Sequence, residues 1–291
     1  MHQHVSLLTD YGLDDEFVGV VKSVIVDIAP QVRITDITHG IAPFDVRAGS
    51  LALARAVQYV PTGIVLAIVD PGVGSSRRAV AVEVAGGRGV LLGPDNGLLA
   101  PAVAMAGGAE RAFELSNTSL HLAAPGTTFA GRDVFAPVAA HLCNGVGLEQ
   151  VGNEIDPALV MPAVVPLPSD ESHAAHGAGL RCEVTWVDRF GNCQLNVGRD
   201  ETRHLGDVIK IVLPGGGSSD DVVRIARVTD HYGAIGEGAL GLVVDSYGML
   251  SVCLDRASAA EMLGTGEGDA VLLFAGEMPV GTASVEIRPA R

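Results

Sequence analysis

The chain is poor in aromatic residues, in cysteine and in positive charge, and each scarcity excludes something. Phe, Trp and Tyr make up 4% of its 291 residues, so any that fall beside a candidate site carry extra weight. The four cysteines, Cys143, Cys182, Cys193 and Cys253, form no CxxC pair and no paired framework. That pattern suits reduced, partly buried thiols in a cytoplasmic protein. Lys and Arg number 19 against 34 Asp and Glu, a formal net charge of −15. Nucleic acid and anionic membranes are held by clustered basic side chains, so neither is an expected partner. No apolar run approaches the ~20 residues of a membrane span, and the start, Met1-His2-Gln3-His4-Val5, lacks the basic and apolar regions of a signal peptide. Also missing are a G-x-x-x-x-G-K-[ST] phosphate loop, a G-x-G-x-x-G turn between strand and helix, and a G-x-S-x-G nucleophile elbow. The histidines show no ligand spacing, so no metal is expected.

Hydrophobic residues are 48% and charged residues 18%, as in a well-packed protein of about two domains at ~150 residues each. The chain is organised around Val69-Asp70-Pro71-Gly72-Val73-Gly74-Ser75-Ser76-Arg77-Arg78. The apolar run Gly63 to Val69 before it reads as a parallel strand covered on both faces. Asp70 then sits at the strand's carboxyl end, where open α/β sheets bind ligands. Pro71, Gly72 and Gly74 force a turn that lets Arg77 fold back toward Asp70. An acid and a guanidinium on one Gly-rich loop fit a reaction centre, and equally a plain salt-bridged turn.

Val5 to Leu8 reads as the first strand, and Asp10 at its end points into the same crevice as Asp70. A helix is expected from Asp14-Asp15-Glu16 through about Ile28, its opening acids suiting the helix dipole. Strands over Arg33 to Thr38, Ala79 to Val84 and Gly89 to Leu92 alternate with helices over Ala48 to Tyr59, about Leu98 to Met105, and up to His141-Leu142. This is the signature of a layered α/β domain with a mainly parallel sheet. The run 166–179, rich in Pro, Ser, Ala, His and Gly, reads as a linker. Short β segments then dominate, with a helix only at Ala257–Leu263, as in a smaller, mostly antiparallel, barrel-like domain. The expected division is therefore 1–165, a linker over 166–179, and 180–291.

Seven segments in order carry a resemblance: Thr9-Asp10-Tyr11-Gly12, Asp36-Ile37-Thr38-His39, Pro43-Phe44-Asp45-Val46, Val69 to Gly74, Gly93-Pro94-Asp95-Asn96-Gly97-Leu98-Leu99, Thr128-Phe129-Ala130-Gly131-Arg132-Asp133 and Asp188-Arg189-Phe190-Gly191-Asn192. Each alone says little. Together they resemble the S-adenosyl-L-methionine (SAM) hydroxide adenosyltransferases, relatives of the fluorinase and chlorinase enzymes. The resemblance spans nearly the whole chain and implies hydrolysis of SAM to adenosine and L-methionine, with SAM as substrate and no cofactor or metal. It assigns Asp70 and Arg77 to the attacking water. The halogenating relatives carry Tyr where Asp70 stands, which points here to water as nucleophile. The hydrolase pattern reads T-F-H-G-R-D, and Ala130 occupies the position of its histidine. An impaired, His-to-Ala variant enzyme is therefore expected.

The same resemblance gives Asp10 the ribose hydroxyls, places Phe44 and Phe129 at the adenosyl pocket, and counts Asn96 among the substrate-binding residues. It assigns Phe190, Asn192 and Tyr232 to adenine, and Asp188, Ser246 and Tyr247 to the methionine end, although relatives often carry Arg where Tyr247 stands. It implies a homotrimer, or a dimer of trimers, with the pocket between one subunit's α/β domain and the next subunit's β domain. Two alternatives stand beside hydrolysis: a SAM-dependent halide adenosyltransferase, and a non-catalytic SAM- or adenosine-binding protein.

Overall fold

A computed structural model describes residues 2–215 and 221–278. The chain divides into two compact units, Met1–Val165 and Pro166–Arg291. Residues 279–291, assigned above to the second domain, lie outside the described residues. Among the described residues no helix is long and apolar enough to cross a membrane.

In the first unit β1 (His4–Thr9), α1 (Phe17–Ile28), β2 (Arg33–Thr38), α2 (Val46–Ala56), β3 (Ile64–Ile68), β4 (Ala79–Val84), β5 (Gly89–Pro94), α3 (Ala100–Met105), β6 (Arg111–Glu114), α4 (Ala136–Cys143) and β7 (Glu154–Ile155) follow in order. The strands form one sheet in the order β2-β1-β3-β5-β4-β6-β7. Pairing is parallel from β2 through β5 and antiparallel from β5 through β7. The sheet is thus mixed, and its parallel half carries the strand ends of interest.

Every residue of β3 is buried, because alternate side chains enter two different cores. Ile64, Leu66 and Ile68 join Val5, Leu7, Val21, Ile25 and Val138 on the α1/α4 face. Val65, Ala67 and Val69 join Leu8, Leu53 and Leu98 on the α2/α3 face. β1 and β3 pair in register from Val5↔Ile64 to Thr9↔Ile68, and the Asp10 N–H donates to the Ile68 carbonyl at 3.3 Å. The two strands therefore end level.

Helix starts depart from the sequence pattern for local reasons. Gly12 has φ +66° and its N–H binds the His39 carbonyl at 2.9 Å, so the chain turns there. Asp14, Asp15 and Glu16 lie before α1, which begins at Phe17. α2 begins at Val46, two residues earlier than expected, because Asp45 caps it by accepting the Ala48 N–H at 2.8 Å. Replacing Asp45 by Ala should lower unfolding stability by about 1 kcal/mol, read as a lower urea midpoint at constant slope.

The second unit contains β8 (Ser169–His173), β9 (Gly177–Val187), β10 (Cys193–Gly198), a short helix α5 (Arg199–Thr202), β11 (Val208–Leu213), β12 (Val222–Thr229), β13 (Leu240–Val244), β14 (Met249–Leu254), α6 (Ala259–Leu263) and β15 (Ala270–Ala275). The strand order β10-β14-β13-β12-β11-β15-β9 closes through β9–β10 pairing into a barrel. Only β12–β13 pairs in parallel. Its core is built from residues such as Leu195, Ile211, Leu242, Val252 and Leu273.

The run 166–179 is not a plain linker. Ser169 to His173 form β8, paired antiparallel with the start of β9 from Ser169↔Arg181 to His173↔Gly177. A strand hung on the outside of the barrel needs backbone partners but no apolar face, so its polar sequence gives no strand pattern.

Candidate active site

The turn after β3 is built to return Arg77 to Asp70. The Val73 N–H binds the Asp70 carbonyl at 3.2 Å and the Ser75 hydroxyl donates to the Gly72 carbonyl at 2.6 Å. Gly74 has φ +78°, a conformation that favours glycine, and faces Thr127. Arg77 Nε then donates to Asp70 Oδ1 at 2.7 Å, while its Nη2 donates to Asp70 Oδ2. The third nitrogen, Nη1, holds the Arg78 carbonyl at 3.0 Å, and the guanidinium lies over the Phe135 ring at 5.5 Å. The Asp70 side chain is 6% exposed and that of Arg77 15%. A two-pronged, largely dehydrated pair of this kind has one orientation.

Asp10, at the end of the neighbouring strand, shares a cavity of about 630 Å³ with Asp70, Phe44, Phe129 and Ala130. Asp10 Oδ2 accepts the Phe44 N–H at 2.9 Å. That bond holds Phe44 at φ +70°, which a bulky residue rarely adopts, with its ring 71% exposed. Ala130 and Gly131 enter the cavity because the chain makes one wide π-helical turn, Gly131–Phe135, before α4. The Phe129 carbonyl accepts both the Arg132 and Asp133 N–H groups at 3.0 Å. Four carboxylates, of Asp10, Asp15, Glu16 and Asp70, line this space. Arg132 also lines it, but its guanidinium is committed to Asp133 through Nε at 2.6 Å and Nη2 at 3.0 Å. The cavity is suited to a cation.

Three aromatic rings close one side. Tyr11 lies 5.7 Å from Phe17 and 5.9 Å from Phe129, and Phe17 lies 5.2 Å from Phe129. Tyr11 is anchored by its N–H to Thr9 Oγ1 at 3.2 Å, and that oxygen is 2.9 Å from His39 Nδ1. Burial, with the negative charges of Asp10 and Asp70, pushes the Tyr11 phenol well above its usual pKa. Tyr11, Asp15, Glu16 and Phe17 are absent from the expected site. For Tyr11 and Phe17 the signal that could have found them is the scarcity of aromatics, since two of the few follow Asp10 within seven residues.

Asn96 does not line this cavity. Its Nδ2 donates to the Val69 carbonyl at 2.9 Å and its Oδ1 accepts the Leu98 N–H at 3.2 Å, so it braces the end of β3 instead. On the second unit, Asp188, Phe190, Asn192 and Tyr232 line one cavity of about 610 Å³. Asp188 Oδ1 accepts the N–H groups of Phe190 and Asn192, both at 2.9 Å, and Oδ2 accepts Asn192 Nδ2 at 2.8 Å. Phe190 is 78% exposed, an aromatic face available for stacking. Ser246 and Tyr247 are not among the residues lining it. They occupy the turn after β13, where Asp245 Oδ1 accepts the Tyr247 N–H at 2.8 Å and the Tyr247 ring meets Trp186 at 6.3 Å.

The chain is similar to proteins of one family. Residues 5–152 match the SAM hydroxide adenosyltransferase N-terminal domain and residues 182–272 the corresponding C-terminal domain. An (R)-S-adenosyl-L-methionine hydrolase of Salinispora tropica is 39% identical over 272 residues, covering 94% of this chain and 98% of the relative. A fluorinase of Actinopolyspora mzabensis is 27% identical over 298 residues, 92% and 95% of the two chains. The crystal structure of an uncharacterized conserved protein from Thermotoga maritima superposes with a TM-score of 0.80 at 33% identity, covering 93% of this chain and 99% of that one.

Proposed function

The chain belongs to the SAM hydroxide adenosyltransferase family, and from that membership we propose how its residues hydrolyse SAM to adenosine and L-methionine. The sulfonium leaves as a neutral thioether, so the leaving group needs no proton. The difficulty lies with water, which must be aligned behind C5′, opposite the C–S bond, and must lose a proton. Positioning of that kind contributes several kcal/mol. The single observation that carries the reading is the Asp70–Arg77 pair, one residue beyond the level of Asp10 after the adjacent strand, in one acid-lined cavity.

Asp10 holds the ribose hydroxyls, a two-point task for a carboxylate. Asp70, fixed by Arg77, orients the water and takes its proton as the C5′–O bond forms. The C–S electron pair passes to sulfur. Phe44 and Phe129 pack on the adenosyl group, and the acids around the cavity favour the cationic substrate over both products. Phe190, Asn192 and Tyr232 take the adenine and Asp188 the methionine ammonium, and Ser246 and Tyr247 are assigned to the methionine end by resemblance. Those groups lie on the second unit, and assembly as a homotrimer, in which one subunit's first unit faces the next subunit's second, would complete the site. The four cysteines are all free and buried, which supports a cytoplasmic setting. Ala130, which can neither orient water nor accept a proton, keeps the rate low.

Turnover in ¹⁸O-labelled water tests the chemistry. The label is expected on the 5′ oxygen of adenosine, with methionine formed in equal amount. Unlabelled adenosine in the first turnover would mean that a protein carboxylate, rather than water, attacks C5′. A chloride-dependent halogenated adenosine would instead favour the halide reading, and binding of SAM with no product the non-catalytic one.

A further inference from the structure

The hydroxyl of Tyr11 stands beside the segment that carries Ala130. It lies directly against Cα of Gly131, close enough that any Cβ there would collide with it. Gly131 adjoins Ala130, and Tyr11, Ala130, Asp10 and Asp70 line the same cavity. The ring is fixed from three directions: by Phe17, by Phe129, and by the backbone bond to Thr9. Burial and the two neighbouring carboxylates keep the phenol protonated, so it offers one donor and one acceptor throughout the neutral range.

Resting on the reaction assigned above, we propose that Tyr11 is a further catalytic residue: its hydroxyl accepts a hydrogen bond from the attacking water and holds it between Asp70 and C5′. The phenol keeps its own proton throughout. One water proton goes to Asp70 and then to solvent, the other stays on the adenosine hydroxyl, and the C–S pair leaves with methionine. Turnover that persists without an imidazole at position 130 runs through this contact.

The test is a double-variant cycle on the full chain, with adenosine release as readout. Tyr11→Phe keeps the ring and removes only the hydroxyl. It should lower kcat roughly 10²-fold, the scale of losing one positioned hydrogen-bonding group, with little change in KM. Gly131→Ala keeps the hydroxyl but displaces it, and should lower kcat similarly. In an Ala130→His background, where an imidazole can hold the same water, Tyr11→Phe should cost far less. An unchanged kcat in Tyr11→Phe, a loss confined to KM, or an equal loss in both backgrounds overturns the role of Tyr11. So does a parent chain that is silent while Ala130→His is active, and in that case the assigned reaction survives. If neither the parent nor Ala130→His releases adenosine, the reaction itself is misassigned and Tyr11 falls with it.

Discussion

Replacing Ala130 by histidine should raise the rate of adenosine formation roughly 10²–10⁴-fold, the range of a positioned general base. Ala130 stands in front of the π-helical turn, packed on the edge of the core, and lines the cavity beside Phe129, so a larger side chain there has the cavity to enter. The gain should appear in kcat, because the imidazole acts on water and not on the adenosyl group. It should also bring a new pH dependence. An imidazole with an ordinary pKa of about 6.5 accepts a proton only when neutral, so the added activity is present above that pH and lost below it. The parent chain should show no such inflection. A variant no faster than the parent would mean that position 130 is remote from the nucleophile.

The second large effect concerns the Asp70–Arg77 pair. Asp70→Asn should abolish measurable turnover and also destabilise the fold, since it strands a guanidinium that is 15% exposed. Losing one member of a buried pair costs about 3–5 kcal/mol, whereas exchanging both for apolar groups of similar volume is often neutral. Asp70→Leu combined with Arg77→Met should therefore unfold at a higher urea concentration than either single variant while remaining inactive. That split separates the two tasks of the pair. If the double variant is the least stable of the three, the pair supports the turn in ways beyond charge neutralisation.

β3 was legible because two buried faces demand an unbroken apolar run, and β1 because Val5, Leu7 and Leu8 keep most of that pattern around Ser6; an acid after such a run is conspicuous. Asp10 and Asp70 could be placed for that reason. Composition did not reveal β8, whose residues Ser169-Asp170-Glu171-Ser172-His173 satisfy backbone bonds without contributing to the core. Asn96 was counted as substrate-binding by resemblance alone, and the carbonyl it serves is that of Val69. Tyr11 was hidden for a different reason. Its role depends on a glycine 120 positions away, at Gly131, and no local pattern records that proximity. Ser246 and Tyr247 share this difficulty, since a turn between strands fixes sequence order but not which way its side chains open.

The level ends of β1 and β3 act as a common ruler. A slip of one residue in either strand would carry its acid about 3.3 Å along the sheet and turn it to the opposite face. Asp10 and Asp70 cannot be adjusted separately by moving strands. Side chains in the loops that follow, at positions such as 77 and 130, can change without altering the spacing between the two acids.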